Sequence, residues 1–280
     1  MDGAVTRDPV HGVRRMGFGV TGPLGSKMFS ARKTDYLIRA AFEMGVRLFD
    51  TGPSYGLGEA ERRLGETLKF LPRAECTIST RAGIVASGMR SAERDFSPDG
   101  VRRSIEGSMQ RLGVHWIDWL FLHGPAPEDL TDGLLAALEE ERNAGRIHRI
   151  GVTGRGAEID AALATGQFQL AMAPVHAGLL PEDLARLRRV REAGLELIGI
   201  EVLAPALSRY PAPTSLSSAR RLARSLVRGA PPAPRVRMAP DKAINWALHE
   251  GGAHRILVTT TRVDRLEANA RAVHLAPPAA

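Results

Sequence analysis

The sequence predicts an α/β chain folded as a single (β/α)8 barrel. Two observations predict it. Short apolar runs alternate with amphipathic helical stretches from end to end, eight of each. Chemically capable polar residues also stand at the ends of several runs, where a barrel gathers strand ends into one mouth. The chain has 280 residues, 44% hydrophobic and 25% charged, enough for a full-sized core. At ~150 residues per domain, length alone allows two domains, but barrels of this size form one. We therefore expect residues 1–280 to be one domain. A doubly wound open sheet is the alternative. It usually carries a Gly-rich phosphate turn after its first strand, and Gly17-Phe18-Gly19 is only a fragment of one.

In chain order, the first strand is expected at Met16–Val20 and the first helix at Thr34–Met44, with Gly45 behind it. Arg47–Asp50 and Glu59–Leu68 form the second unit. Cys76–Thr80 leads to Pro98–Leu112, where Val101, Ile105, Met109 and Leu112 make a helical stripe that stops at Gly113. Trp119–His123 pairs with Asp129–Ala144, and Ile147–Thr153 with Ala157–Ala164. Leu170–Pro174 precedes Pro181–Ala193, Leu195–Glu201 precedes Asp241–His249, and Arg255–Thr259 precedes Val263–Val273. Gly145 and Gly194 follow their helices, as Gly45 and Gly113 do, the position where a helix prefers glycine. Runs buried on both faces and separated by helices belong to a parallel sheet. One region breaks the rhythm: Pro205–Pro240 is rich in proline, serine and arginine. It reads as a long irregular excursion, either a mobile insertion or a flap over cofactor or substrate.

Composition narrows the function. No apolar stretch approaches the ~20 residues of a membrane span, so no membrane partner is expected. Met1–Asp8 has no apolar signal-peptide region, and the lone Cys76 fits a reducing compartment. A cytoplasmic location is the expectation. The net charge is +7, which admits anionic partners. The arginines are mostly spread along helices, with Arg186, Arg188, Arg189 and Arg191 on one and Arg220, Arg221 and Arg224 in a loop or short helix. They read either as a solvated surface or as an anion-attracting face. Aromatic residues make up only 5%, which argues against a stacking platform for nucleic acid. No metal site is expected.

The chemistry centres on Leu48-Phe49-Asp50-Thr51-Gly52-Pro53-Ser54-Tyr55. A buried run ends on a carboxylate, and a phenol follows five residues later. The third strand supplies Arg81 and the fourth His123, so barrel closure would put acid, phenol, cation and imidazole in one volume. A phenol with a pKa of ~10 is a weak proton donor at neutral pH. A neighbouring cation would lower that value, a carboxylate would hold the cation, and an imidazole could orient a carbonyl oxygen. Reduction of a carbonyl also needs a hydride, which side chains do not supply and a nicotinamide does. Taken singly, Asp50 reads as a helix cap or turn residue, Tyr55 as half-buried packing and His123 as a satisfied polar group. Their coincidence at successive strand ends reverses that reading.

These residues resemble the aldo-keto reductases, (β/α)8 enzymes that use NADPH and an Asp, Tyr, Lys, His set. Asp50, Tyr55 and His123 match directly. The match continues through Tyr55-Gly56-Leu57-Gly58-Glu59-Ala60-Glu61-Arg62-Arg63-Leu64-Gly65 and Leu120-Phe121-Leu122-His123-Gly124-Pro125. The resemblance covers about Gly17 to Asn269. The departure is Arg81 at the lysine position. Arginine keeps the charge, but its planar fork is not equivalent to an ammonium. It leaves open an ordinary reductase, one tuned to an acidic or unusual substrate, and an NADP(H)-binding protein with weak activity.

The resemblance also implies a cofactor site. It places the adenosine end after the last strand, with Thr260, Thr261 and Arg262 near phosphate, Arg265 at the 2′-phosphate and Asn269 at adenine. Thr153 and Gly154 stand where the family has Ser-Asn for the carboxamide, and Met172 where it has glutamine. Thr21, after the first strand, is a further candidate contact. No role is expected for His176, packing is expected for Trp246, and Trp116 and Trp119 read as packing or pocket wall. The chain ends soon after its last helix, so a more open substrate site is expected. The expected function is NADP(H)-dependent interconversion of an aldehyde, ketone or sugar-like carbonyl with an alcohol, on a small-molecule substrate. The alternative is a nucleotide-binding regulatory or redox-neutral protein, resembling potassium-channel β-subunits.

Overall fold

The computed structural model describes residues 13–86, 92–206 and 236–275. Among the described residues there are ten strands: β1 Met16–Gly19, β2 Leu48–Asp50, β3 Thr77–Ala82, β4 Ile84–Ala86, β5 Ala92–Arg94, β6 Ile117–His123, β7 Ile147–Thr153, β8 Leu170–Pro174, β9 Glu196–Ile200 and β10 Arg255–Val258. Eight of them close into a parallel barrel in the order β1-β10-β9-β8-β7-β6-β3-β2. The open-sheet alternative is excluded, because β1 pairs with both β2 and β10.

Around the barrel, the described residues form eight α-helices: α1 Ala31–Glu43, α2 Glu59–Leu68, α3 Pro98–Leu112, α4 Asp132–Asn143, α5 Ala157–Thr165, α6 Pro181–Glu192, α7 Pro240–Leu248 and α8 Val263–Leu275. Expected starts differ from observed ones where a cap decides. α1 begins at Ala31 because the Ser30 hydroxyl accepts the Lys33 N–H. α4 begins at Asp132, capped by Thr131, and Pro127–Asp129 is a separate 3-10 turn. Gly45, Gly113, Gly145 and Gly194 all have positive φ, as helix-ending glycines do.

The sequence did not announce β4 and β5. They form an antiparallel hairpin between β3 and α3, with Ile84 opposite Arg94. Of the irregular stretch expected at 205–240, residues 207–235 lie outside the described residues, and with them Arg220, Arg221 and Arg224.

The core has two compartments, because side chains alternate between the faces of each strand. Leu48, Trp119, Phe121, Leu170, Met172, Ile198 and Leu257 fill the barrel interior. A larger cluster, including Phe18, Phe49, Ile78 and Leu120, packs barrel against helices. The interior is crowded enough that β1 and β7 need glycine. A Cβ on Gly17 would sit 2.5 Å from the Leu257 side chain, and one on Gly151 2.5 Å from Phe121. Trp119 is thus interior packing rather than pocket wall, and Trp246 packs against the outer core.

The loop after β2 is shaped by three consecutive left-handed residues, Gly56 (φ 63°), Leu57 (φ 58°) and Gly58 (φ 79°). A side chain at Gly56 would overlap the Gly25 carbonyl oxygen. The turn feeds directly into α2, whose Gly65 lets it approach α3; a Cβ there would lie 2.6 Å from the Leu112 carbonyl oxygen. Gly56→Ala is expected to destabilise the protein by about 1–3 kcal/mol in urea unfolding. Gly145→Ala, equally left-handed but facing open space, should cost only about 1 kcal/mol.

Candidate active site

Strand register brings the candidate residues together at the C-terminal end of the barrel. Asp50 pairs with Ser79, Arg81 with Phe121, His123 with Thr153, and Thr153 with Met172. Asp50, Ser79 and Arg81 face inward on β2 and β3. Asp50 is 2% exposed and Arg81 4%. One Asp50 oxygen accepts the Ser79 hydroxyl at 2.7 Å, and the other accepts Arg81 Nη2 at 2.9 Å. Arg81 Nη1 donates to the Thr51 carbonyl, and Nη2 also approaches Met172 Sδ at 3.1 Å. The guanidinium is thus turned toward Asp50, the backbone and the thioether.

Met172 is 1% exposed. It meets Arg81 from inside the barrel, so its position is beneath the mouth rather than at its surface. Ser79 went unnoticed in the sequence. Its signal was present, because two residues before Arg81 on a strand means the same face.

Tyr55 closes the group from above. The Arg81 guanidinium carbon lies 5.2 Å from the centre of its ring, and the Tyr55 and His123 ring centres are 6.5 Å apart. Gly52 permits this approach; a Cβ there would lie 3.2 Å from the Tyr55 ring. Among the described residues, the buried Nδ1 of His123 has no hydrogen-bond partner. The hairpin residue Arg94 donates to the Gly124 carbonyl at 3.1 Å and to Asp129 at 2.8 Å. It brings a second cation near His123.

The electrostatics correct one expectation. Burial pushes the Tyr55 phenol above its ordinary pKa; Arg81 pulls it down and Asp50 pushes it up. Desolvation therefore outweighs the cation, and the phenol stays protonated. Burial alone would lower the Arg81 pKa, but the charge of Asp50 reverses this and raises it. Burial also pushes the Asp50 carboxyl up, against Arg81 and Ser79. The two partners thus pull toward different protonation states. We take the pair as ionic, because a guanidinium does not deprotonate in this range and the carboxylate accepts two donors. Burial, then Arg81 and Arg94, hold His123 at a pKa of about 4, so its imidazole is neutral at physiological pH.

The long motif after Tyr55 proves to be mostly framework. Glu61 is fully buried and accepts the Thr80 hydroxyl at 2.6 Å and Arg111 Nε at 2.5 Å. It ties α2 and α3 to the strand residue beside Arg81. Arg63 pairs with Glu59 at 2.9 Å and donates to the Leu24 carbonyl at 2.9 Å.

Around the rim, Thr21 and Thr259 hydroxyls lie 3.3 Å apart, and Thr259 donates to the Gly19 carbonyl at 3.0 Å. Thr260 accepts the Arg262 N–H at 3.2 Å, and Arg262 pairs with Asp264. Thr261 and Arg265 are exposed at the start of α8, whereas Asn269 is 6% exposed. Thr153 ends β7. The Gly154 N–H donates to the Met172 carbonyl at 3.1 Å, and a Cβ on Gly154 would overlap the Glu158 side chain. Glu158 accepts the N–H groups of Arg155 and Gly156. His176 lies apart, its Nδ1 accepting the Gly178 N–H at 3.2 Å. Among the described residues, no acid, histidine and cysteine group could hold a metal, and no helix is long and apolar enough to cross a membrane.

Two expected outcomes follow from the burial of these charges. Removing one member of a buried pair strands the other. Asp50→Ala should therefore cost about 3–5 kcal/mol in urea unfolding, and Asp50→Ala with Arg81→Met should recover most of it. A double variant no more stable than the single would contradict a charged pair. His123 is the second case. Its folded pKa of about 4 lies below the unfolded value of ~6.5. Its contribution is complete above pH ~6.5 and is lost as pH falls toward 4, by about 2–3 kcal/mol. His123→Asn should flatten that part of the stability–pH curve.

The aldo/keto reductase family model matches residues 15–278. The chain is 34% identical over 177 residues to D-threo-aldose 1-dehydrogenase of a Pseudomonas species, a match spanning 52% of this chain and 54% of that enzyme. It is 27% identical over 280 residues to L-galactose dehydrogenase of Arabidopsis thaliana, across 93% of this chain and 84% of the relative. Among solved structures, a Bacillus halodurans aldo-keto reductase in holo form superposes with a TM-score of 0.76 at 23% identity, covering 94% of this chain and 88% of that one. With the closed barrel and the matched length, the chain belongs to the aldo/keto reductase family.

Proposed function

We propose that the protein is an NADP(H)-dependent oxidoreductase that interconverts a carbonyl and an alcohol, with Tyr55 as the proton donor in reduction. The observation that carries this reading is the gathering of Tyr55, His123 and the Asp50–Arg81 pair at one end of the barrel. A nicotinamide bound at this mouth supplies the hydride. Tyr55 transfers its proton to the carbonyl oxygen as the carbon is reduced to the alcohol; in the opposite direction its phenolate accepts the alcohol proton. His123, neutral at working pH, hydrogen-bonds the substrate oxygen and orients it without adding charge. Arg81 lies against the phenol ring and stabilises the phenolate left by proton transfer, and Asp50 holds Arg81 in place.

The rim fits the cofactor by its chemistry. Thr21, Thr260, Thr261 and the amides beginning α8 suit phosphate oxygens, and Arg262 adds charge. Arg265, exposed beside them, suits the additional phosphate of NADP. Asn269 would meet adenine, and Thr153 and Gly154 would hold the carboxamide. Met172 contributes through Arg81: a thioether beneath the mouth accommodates a guanidinium larger than the usual ammonium. Sugar-like substrates are favoured, since the Pseudomonas and Arabidopsis relatives are named as dehydrogenases of aldoses. A buried lone cysteine suits a cytoplasmic setting.

One observation favours a second reading. The donors of Arg81 are directed at Asp50, Thr51 and Met172, and burial raises the Tyr55 pKa. A phenol so poorly acidified fits an NADP(H)-binding protein of low turnover, with a regulatory or redox-neutral role. Carbonyl-dependent oxidation of NADPH and NADH, across aldehydes and aldoses, separates the two. The first reading expects turnover in the wild type, a loss of roughly 10²-fold or more in Tyr55→Phe, and a higher KM for NADPH in Arg265→Ala. NADPH binding without turnover on the whole panel selects the second reading. Unchanged turnover in Tyr55→Phe removes Tyr55 as the donor.

A further inference from the structure

The opposite end of the barrel carries a second concentration of charge that the proposed reaction does not use. A concavity of about 570 Å³ opens at the N-terminal ends of the strands. Its lining includes five arginines, Arg14, Arg15, Arg149, Arg191 and Arg255, with Glu196 as the one acid among the described residues. Five positive charges against one negative leave an excess of four.

Much of this charge is held in fixed positions. Arg149 Nη1 and Arg255 Nε donate to the two oxygens of Glu196 at 2.5 and 2.6 Å. Both guanidinium carbons also lie near the Trp119 ring, at 5.6 and 5.4 Å from its centre. Arg15 is tied by donation to the carbonyls of His254, Leu248 and Ala253. The inner cations are therefore set by carbonyls, one shared carboxylate and an indole, and need not be ordered when a ligand arrives. Arg191 lies across Gly252, where a side chain would collide with its guanidinium. Arg14 and Arg191 make no ion pair among the described residues. Repulsion within the group is visible in Arg15, whose pKa is lowered by burial and then by Arg255.

On α6, Arg186 and Arg189 share Asp160, at 3.0 and 2.6 Å, and Arg186 also pairs with Asp183 at 2.8 Å. At the barrel floor the acids among the described residues fall short, and the cations converge on a hollow. We infer that this floor is a binding site for a small multivalent anion, one carrying two or more phosphate or carboxylate groups. Arginine forks match both groups bidentately. The hollow takes a compact anion rather than a duplex or a membrane surface.

The test uses the full chain and titration calorimetry with inorganic pyrophosphate and, separately, citrate, at constant ionic strength. Saturable binding of one pyrophosphate or citrate per chain at the floor is expected, in addition to any pyrophosphate held by the phosphate-binding rim of the mouth; the pair distinguishes a phosphate from a carboxylate preference. Arg14→Ala with Arg191→Ala should weaken binding by roughly tenfold or more while leaving the melting temperature in place. Arg262→Ala with Arg265→Ala, at the other end of the barrel, should leave this binding intact. The proposal is overturned if neither anion binds saturably, if the Arg14 and Arg191 changes have no effect, or if the Arg262 and Arg265 changes abolish binding. It is equally overturned if heparin or DNA is retained while both small anions are ignored.

Discussion

A buried ion pair between Asp50 and Arg81 organises the mouth of this barrel. Both side chains are almost entirely withdrawn from water, so each is tolerable only in the presence of the other. The pair fixes the inward ends of β2 and β3, and everything above it inherits that geometry. Tyr55 lies against the guanidinium, and His123 meets Tyr55 from the neighbouring strand. The pair carries no net charge, yet its halves act differently on the phenol: Arg81 favours the phenolate and Asp50 opposes it. Desolvation decides the balance in favour of the neutral phenol. That is the protonation state needed to donate a proton, and it leaves the acidity to be gained when the proton moves.

The surrounding framework maintains this arrangement by close approaches and buried polar contacts. Gly52 admits the Tyr55 ring, and Gly56 admits the Gly25 carbonyl. Glu61 runs from α2 to Thr80, immediately before Arg81, while Arg111 of α3 neutralises it. A change at any of these positions moves the phenol or the cation without touching either. Met172 belongs to the same logic. A methionine adapts its shape to its surroundings and leaves the larger guanidinium room that a rigid polar partner would have to share. Arginine at position 81 is thus built into the packing beneath it.

The two ends of the barrel use arginine in different ways. At the mouth, one cation is matched by one carboxylate and sealed. At the floor, two cations share Glu196 above Trp119, and three more arginines stand around them. Between the two lie the interior Leu48, Phe121, Leu170, Ile198 and Leu257, an apolar layer that separates the charged groups. That layer offers no polar partner to either end, so each buried charge depends on its own local partners.

The alternation of apolar runs and helical stripes determined the eightfold architecture, because a parallel sheet needs a helix between its strands. Helix ends were legible at Gly113 and Gly194, where a left-handed residue must follow the last turn. Asp50, Arg81 and His123 were legible as strand-end residues, and Tyr55 as the phenol in the loop after Asp50. The hairpin Ile84–Arg94 was not, because two three-residue strands leave no periodic signal. Nor was the protonation of Tyr55, which depends on how much water burial removes as well as on which charges are near. The floor arginines are scattered from Arg14 to Arg255 in the chain and converge only through closure of the barrel. Sequence by itself determined which chemical groups the chain possesses and at which strand ends they stand. Tertiary structure alone decided which of them meet, which are dry, and therefore which charges are held in balance and which are left in excess.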